Sequence, residues 1–224
     1  MRLAKVVKWG ASSIRVAIYK VCLGVRVSWP KGGKPVYLGR GARIRTAAGS
    51  HINLGPGVYL SESTLLQTEP GSELRIGANV FLNANARIVA AESVFVGEHT
   101  LIGPNVCVYD HDHVFDADGV HGELTTAPVH IGKRCWLGAN TLVTKGCELG
   151  DAILVGGGSV VTGSLRGPGV YAGVPARLIK SHAVREGGVS DEDNRKTIPS
   201  HVGDRKAQVP RECGGAAFAR QAAR

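Results

Sequence analysis

Six aliphatic residues, Ile131, Leu137, Val143, Leu149, Val155 and Val161, follow one another at intervals of six without a break. The same step links Ile76, Leu82 and Ile88, and then Val96, Ile102 and Val108. A period of six matches neither the helical turn nor a heptad seam, so this run is not an amphipathic helix. An even period does keep each marked side chain on one face of an extended strand. Several of the aliphatics precede a glycine, as in Leu38-Gly39, Leu54-Gly55, Ile76-Gly77, Val96-Gly97, Ile131-Gly132 and Leu149-Gly150. Gly, Asn and Asp between them supply residues for turns of positive φ. Each hexad then reads as one short strand and one turn, forming one side of a coil. Stacked coils join the aliphatics into a continuous interior. A β-sandwich would space its strands irregularly, at about 8–12 residues. The expected fold class is an all-β solenoid over residues 31–180.

Composition agrees with tightly turned repeats. Aromatics make up 5% of the chain, while 31 of 224 residues are glycine. With 43% hydrophobic residues, disorder throughout is excluded. The net charge of +9 favours anionic partners, but no zinc-finger, homeodomain or RNA-recognition pattern accompanies it, and no nucleic acid partner is expected. The five cysteines, Cys22, Cys107, Cys135, Cys147 and Cys213, form no CxxC pair and are odd in number, which suits reduced thiols in the cytoplasm.

Residues 1–30 read as an amphipathic segment of one or two helices. Leu3, Val7, Gly10, Ile14, Ala17, Val21 and Val25 recur at three- and four-residue steps on one face, with basic residues around them. The helix either caps or packs against the main domain, or residues 2–28 rest on an anionic membrane surface. Gly10 and Gly24 weaken a helix here. Lys5, Lys8, Arg15, Lys20 and Arg26 interrupt the segment too often for a signal peptide or a spanning helix. Trp29-Pro30 and Gly32-Gly33 mark its end. Residues 181–224 are polar, charged and poor in large apolar side chains, and read as a disordered tail.

Between Val108 and Ile131 the hexad phase fails. The intervening stretch opens Tyr109-Asp110-His111-Asp112-His113-Val114-Phe115-Asp116 and holds three of the eight histidines, His111, His113 and His121. Loops on a rigid scaffold are where function concentrates. The His and Asp side chains could be solvated polars. They could bind zinc, although helical His spacing and a thiol pair are absent. One imidazole could also be a general base, titrating near neutrality with a carboxylate to fix its tautomer.

Residues 76–180 resemble the hexapeptide-repeat acetyltransferases, in the branch of galactoside, maltose, nodulation-factor and polysaccharide O-acetyltransferases. The resemblance rests on an ordered set of motifs. Phe81-Leu82-Asn83-Ala84-Asn85 comes first, then Ile102-Gly103-Pro104-Asn105-Val106 and the loop reaching His113. Ile131 to Ala139, Gly156 to Thr162 and Ala172 to Arg177 complete it. The resemblance implies a left-handed parallel β-helix, a homotrimer with active sites between subunits, and direct transfer from acetyl-CoA without a metal. It implies His113 as the catalytic base, with His111 as second choice, and Asn83 and Asn85 at the acceptor. It implies that Trp136, Ala139, Gly157, Thr162 and Arg177 line the coenzyme groove.

The chain departs from the family pattern in two places. Ala91, between Ala90 and Glu92, stands where an acceptor-holding Asp is frequent. Thr162-Gly163-Ser164 replaces a Thr-Lys-Asp run, leaving Arg166 to supply the cation. The activity this implies is acetyl-CoA-dependent O-acylation of a sugar, nucleotide sugar or glycan precursor. N-acylation of an amino sugar and a non-catalytic or zinc-binding repeat protein are the alternatives.

Overall fold

The structure, a computed structural model, describes residues 2–23 and 27–182. Of the tail expected over 181–224, all but the first two residues lie outside that range. One helix, Arg2–Leu23, precedes a left-handed parallel β-helix of three flat faces. That hand is the exception to the usual right-handed crossover. The first face stacks Val27–Ser28, His51–Leu54, Glu73–Ile76, Ser93–Val96, Val129–Ile131 and Glu148–Leu149. The second runs from Tyr37–Leu38 through Phe81–Leu82 and Trp136–Leu137 to Gly169–Ala172. The third runs from Arg43–Arg45 through Arg87–Ala90 and Cys107–Tyr109 to Val160–Val161.

Register explains why the hexads stay in phase. Ile131 pairs with Leu149, Leu137 with Val155 and Val143 with Val161, each one coil above the other. All six side chains are fully buried. Burial of such a residue contributes about 1.5–3 kcal/mol, so the inward column is the main cohesive element. The early coils are wider. Leu38 pairs with Leu60 and Leu60 with Leu82, a step of 22 residues. Strands such as His51–Leu54 and Leu65–Thr68 have four residues there, against two in Leu142–Val143. Two sides of each early coil are thus longer than a hexad, which is why the six-residue step there runs only in short sets, Leu54, Leu60 and Leu66 and then Ile76, Leu82 and Ile88, before it becomes continuous at Ile131.

The turns are formed as their residues dictate. Asn85, Asn105 and Asn140 sit one above another at φ of 60°, 56° and 59°, a left-handed corner that Asn tolerates. Beside that corner the coils come so close that a Cβ on Gly138 would lie 2.5 Å from the Gly157 nitrogen.

The helix closes the open end of the prism. The outermost strand, Tyr37–Leu38, offers unpaired backbone groups there. Buried Ser12 accepts from Leu38 N–H at 2.8 Å, the Arg15 guanidinium donates to the Leu38 carbonyl, and Tyr19 accepts from Ile44 N–H at 3.4 Å. Trp9 packs edge-on against Tyr37, which begins an outer stack of Tyr37, Tyr59 and Phe81. The helix thus caps the domain, as one of the two readings expected, but not through its apolar stripe. Val7, Ile14 and Val21 are exposed. An open coil needs hydrogen-bonding partners first, and those lie on the other side of the helix. Gly10 falls within the helix and does not interrupt it.

Candidate active site

The break in the repeat is an ordered antiparallel hairpin, not an irregular loop. His111–Asp116 pairs with Gly119–Thr126, setting His111 opposite Thr126 and His113 opposite Leu124. Its neck is closed by Ala127 N–H donating to the Asp110 carbonyl at 2.9 Å. Lys145 on the next coil braces its side through Asp112 at 3.1 Å.

Asp110 is the anchor of the hairpin. Its side chain is fully buried and accepts three backbone N–H groups, from Ala91 at 2.7 Å and from Glu92 and Ser93 at 2.8 Å each. On the two preceding coils the equivalent corner is tied by serine. Ser50 Oγ accepts from Ala47 N–H, and Ser72 Oγ lies 2.8 Å from the carbonyls of both Glu69 and Ala90. At 90–93 the carboxylate from the coil above takes that role. Sequence reasoning missed Asp110. The available signal was parity: Asp110 is two residues beyond inward-facing Val108, so the alternation of the strand that ends at Tyr109 carries it inward.

The two histidines are presented differently. His111 is half-buried, with Nδ1 3.0 Å from Asp110 Oδ1 and its ring edge-on to Tyr109. His113 is exposed, with Nδ1 3.2 Å from the His121 carbonyl. A carbonyl or carboxylate can only accept, so each Nδ1 carries a hydrogen, and in the neutral ring that leaves the lone pair on Nε2. At the hairpin tip His121 Nε2 donates to Asp116 at 2.9 Å, and this bond with Asp118 N–H holds the Asp116 carboxyl below its usual range. Among the described residues no group of three or more His, Cys, Asp or Glu side chains converges as a metal cage would require.

The other expected residues are spread along the coils. Asn83 is half-buried and its Oδ1 accepts from Ala84 N–H at 2.8 Å, while Asn85 is exposed and forms the left-handed corner. Trp136 is half exposed on the second face. Ala139 and Gly157 meet on neighbouring coils, where a Cβ on Gly157 would come 3.0 Å from the Ala139 carbonyl. Thr162 and Arg177 line one groove of about 390 Å³ with Ser164, Tyr171 and Leu178. Arg166 is exposed. Small residues along the coil edge and a guanidinium in the last groove fit a long, phosphorylated ligand in chemical type.

Similarity to known proteins agrees with this architecture. The family described as the hexapeptide repeat of succinyl-transferase matches residues 128–163. A putative lipopolysaccharide biosynthesis O-acetyl transferase of Escherichia coli K12 is 37% identical over 110 residues, covering 45% of this chain and 56% of that protein. The galactoside O-acetyltransferase of the same organism is 36% identical over 99 residues, covering 44% and 49%. The chain thus spans about half the length of the curated relatives it matches. A solved galactoside acetyltransferase in complex with coenzyme A superposes with a TM-score of 0.53 at 31% identity, over 57% of this chain and 64% of that one. In fold the chain is a hexapeptide-repeat left-handed β-helix, and in sequence its body is similar to the galactoside and lipopolysaccharide O-acetyltransferases.

Proposed function

We propose that this protein transfers an acyl group, acetyl in the first instance, from coenzyme A to a hydroxyl of a sugar or glycan precursor. The observation that carries the reading is the hairpin itself. A rigid hexapeptide prism is interrupted once, by an arm rooted on buried Asp110 that presents imidazoles with Nδ1–H engaged and Nε2 available. Proteins similar in sequence include the putative lipopolysaccharide biosynthesis O-acetyl transferase and the galactoside O-acetyltransferase named above.

In the mechanism His113 Nε2 takes the proton of the acceptor hydroxyl as that oxygen attacks the thioester carbonyl carbon. The new C–O bond forms, the C–S bond breaks, and the imidazolium returns its proton to the leaving thiolate. Such proton transfer contributes about 10²–10⁴-fold. Asn83 holds the acceptor, with Asn85 at the adjoining corner. Trp136, Ala139 and Gly157 flank the pantetheine arm, while Thr162 and Arg177 meet the nucleotide end.

The working form is a homotrimer in the cytoplasm, at the inner face of the membrane, where acyl-CoA is at hand. The hairpin supports assembly, because Phe115 and Val120 stand 74% and 70% exposed near its tip. Apolar tips of this kind seek a second surface.

A second reading makes His111 the base, with Asp110 orienting its ring as a carboxylate partner does. The deciding experiment measures thiol release from acetyl-CoA with a panel of sugars and nucleotide sugars. His113→Ala should lower kcat at least a hundredfold while coenzyme binding and assembly persist. Full turnover in His113→Ala with loss in His111→Ala moves the role to His111. Full turnover in both overturns the reading.

A further inference from the structure

Charge is distributed unevenly along the chain. The first 61 residues contain eleven Lys or Arg and no Asp or Glu, and the acidic residues begin only at Glu62. That stretch contributes +11 to the formal +9, and the rest of the chain contributes −2. It comprises the capping helix and the first coils, so one pole of the prism is cationic.

The same pole carries the unpartnered apolar stripe. Ser12, Arg15 and Tyr19 turn one side of the helix to the first coil. The opposite side presents Val7, Ile14, Ile18 and Val21, which are 63%, 64%, 55% and 84% exposed. Their spacing of seven, four and three residues makes a single stripe. Lys8 and Lys20 on the same helix are also exposed.

A groove of about 400 Å³ opens between the helix and residues 29–36, lined by Val16, Lys20, Trp29, Lys31, Gly33 and Lys34. Lys20 Nζ stands 5.9 Å over the Trp29 ring. The Trp29 indole N–H is buried and has no hydrogen-bond partner among the described residues. Three ammonium groups about one groove suit a phosphate diester, and Trp is the residue that favours the headgroup level of a bilayer.

We propose that this pole docks on an anionic lipid bilayer. The helix lies in the interface plane with Val7, Ile14, Ile18 and Val21 among the upper acyl chains, and lipid phosphates seat in the Lys20–Lys31–Lys34 groove. Stripe and charge act together: apolar burial gives depth, and cations select negative headgroups. A nucleic acid would use the cations and leave the branched aliphatics in water. The docking is independent of the acyl-transfer reading, because it uses none of the residues assigned to that chemistry.

The test is co-sedimentation of the full chain with vesicles of phosphatidylcholine alone, or of equal parts phosphatidylcholine and phosphatidylglycerol. The chain should pellet with the anionic vesicles, and raised salt should weaken this. Ile14→Asp and Val21→Asp should each lower partitioning about tenfold. Lys31→Glu with Lys34→Glu should lower it more than tenfold. Unchanged thermal melting and size-exclusion profiles establish that each variant is folded. Absence of pelleting, equal pelleting with neutral vesicles, or folded variants that bind as the parent does would each overturn the proposal. A change of oligomeric state in Ile14→Asp, with vesicle binding intact, would also overturn it and assign the stripe to contact between copies.

Discussion

Asp110 Oδ1 lies 3.0 Å from His111 Nδ1, so the residue that ties the hairpin to the prism also orients the first imidazole of the arm. Oδ1 also accepts from Ala91 N–H and Oδ2 accepts from Glu92 and Ser93, at a corner 17 to 19 residues earlier in the chain. Position and chemistry are therefore coupled at one buried group.

Asp110→Ala should lower stability by roughly 2–4 kcal/mol, because it leaves three N–H donors at the 91–93 corner without an acceptor. Urea unfolding of the variant against the parent measures this. Asp110→Asn retains one acceptor oxygen and should lose less. His111→Ala should leave the unfolding midpoint near that of the parent, since the backbone bonds of Asp110 survive.

The hairpin tip should govern assembly. Phe115→Asp with Val120→Asp places carboxylates where 74% and 70% of two apolar side chains are exposed in the single chain. Sedimentation velocity should show a smaller species, with the circular dichroism of the β-helix retained. Lys145→Ala, which removes the exposed brace to Asp112, should cost at most about 1 kcal/mol.

Coil spacing sets the tolerance of individual glycines. Gly138→Ala should be strongly destabilising, by about 2 kcal/mol or more, because its Cβ would meet the Gly157 backbone at 2.5 Å. Gly163→Ala should be close to neutral, since no heavy atom lies within 4 Å of a Cβ there and its φ is not positive. Paired thermal melts of the two variants test the contrast.

Burial pushes the Cys135 thiol up to about 11 from the ordinary 9.0, and raises Cys147 in the same sense. Both should stay protonated and resist alkylation at pH 8 in the folded chain, whereas exposed Cys22 should react promptly. Peptide mapping after iodoacetamide treatment reads this directly. The Cys135 contribution to stability is fully present below pH 9, the unfolded value, and is lost as pH rises through about 11. Tyr59, raised to about 12 mainly by burial, extends the loss in the same direction.

The inward column from Ile131 to Val161 was legible because side-chain direction along a strand is a local property, and local periodicity records it. The same logic marked the break that holds His111 and His113. It did not reveal the longer sides of the early coils, whose four-residue strands leave the six-residue step. It also could not say which way the apolar stripe of the helix faces. Val7, Ile14 and Val21 look outward because the open coil binds the helix through Ser12, Arg15 and Tyr19. Nor could it join Asp110 to Ala91, Glu92 and Ser93, which meet only when one coil is laid on the next. The chain alone thus determined the period, the interior and the place of the interruption. Tertiary stacking decided which backbone groups were left without partners and which side chains, distant in sequence, came to satisfy them, because hydrogen-bond demand at a coil edge exists only once the coils are assembled.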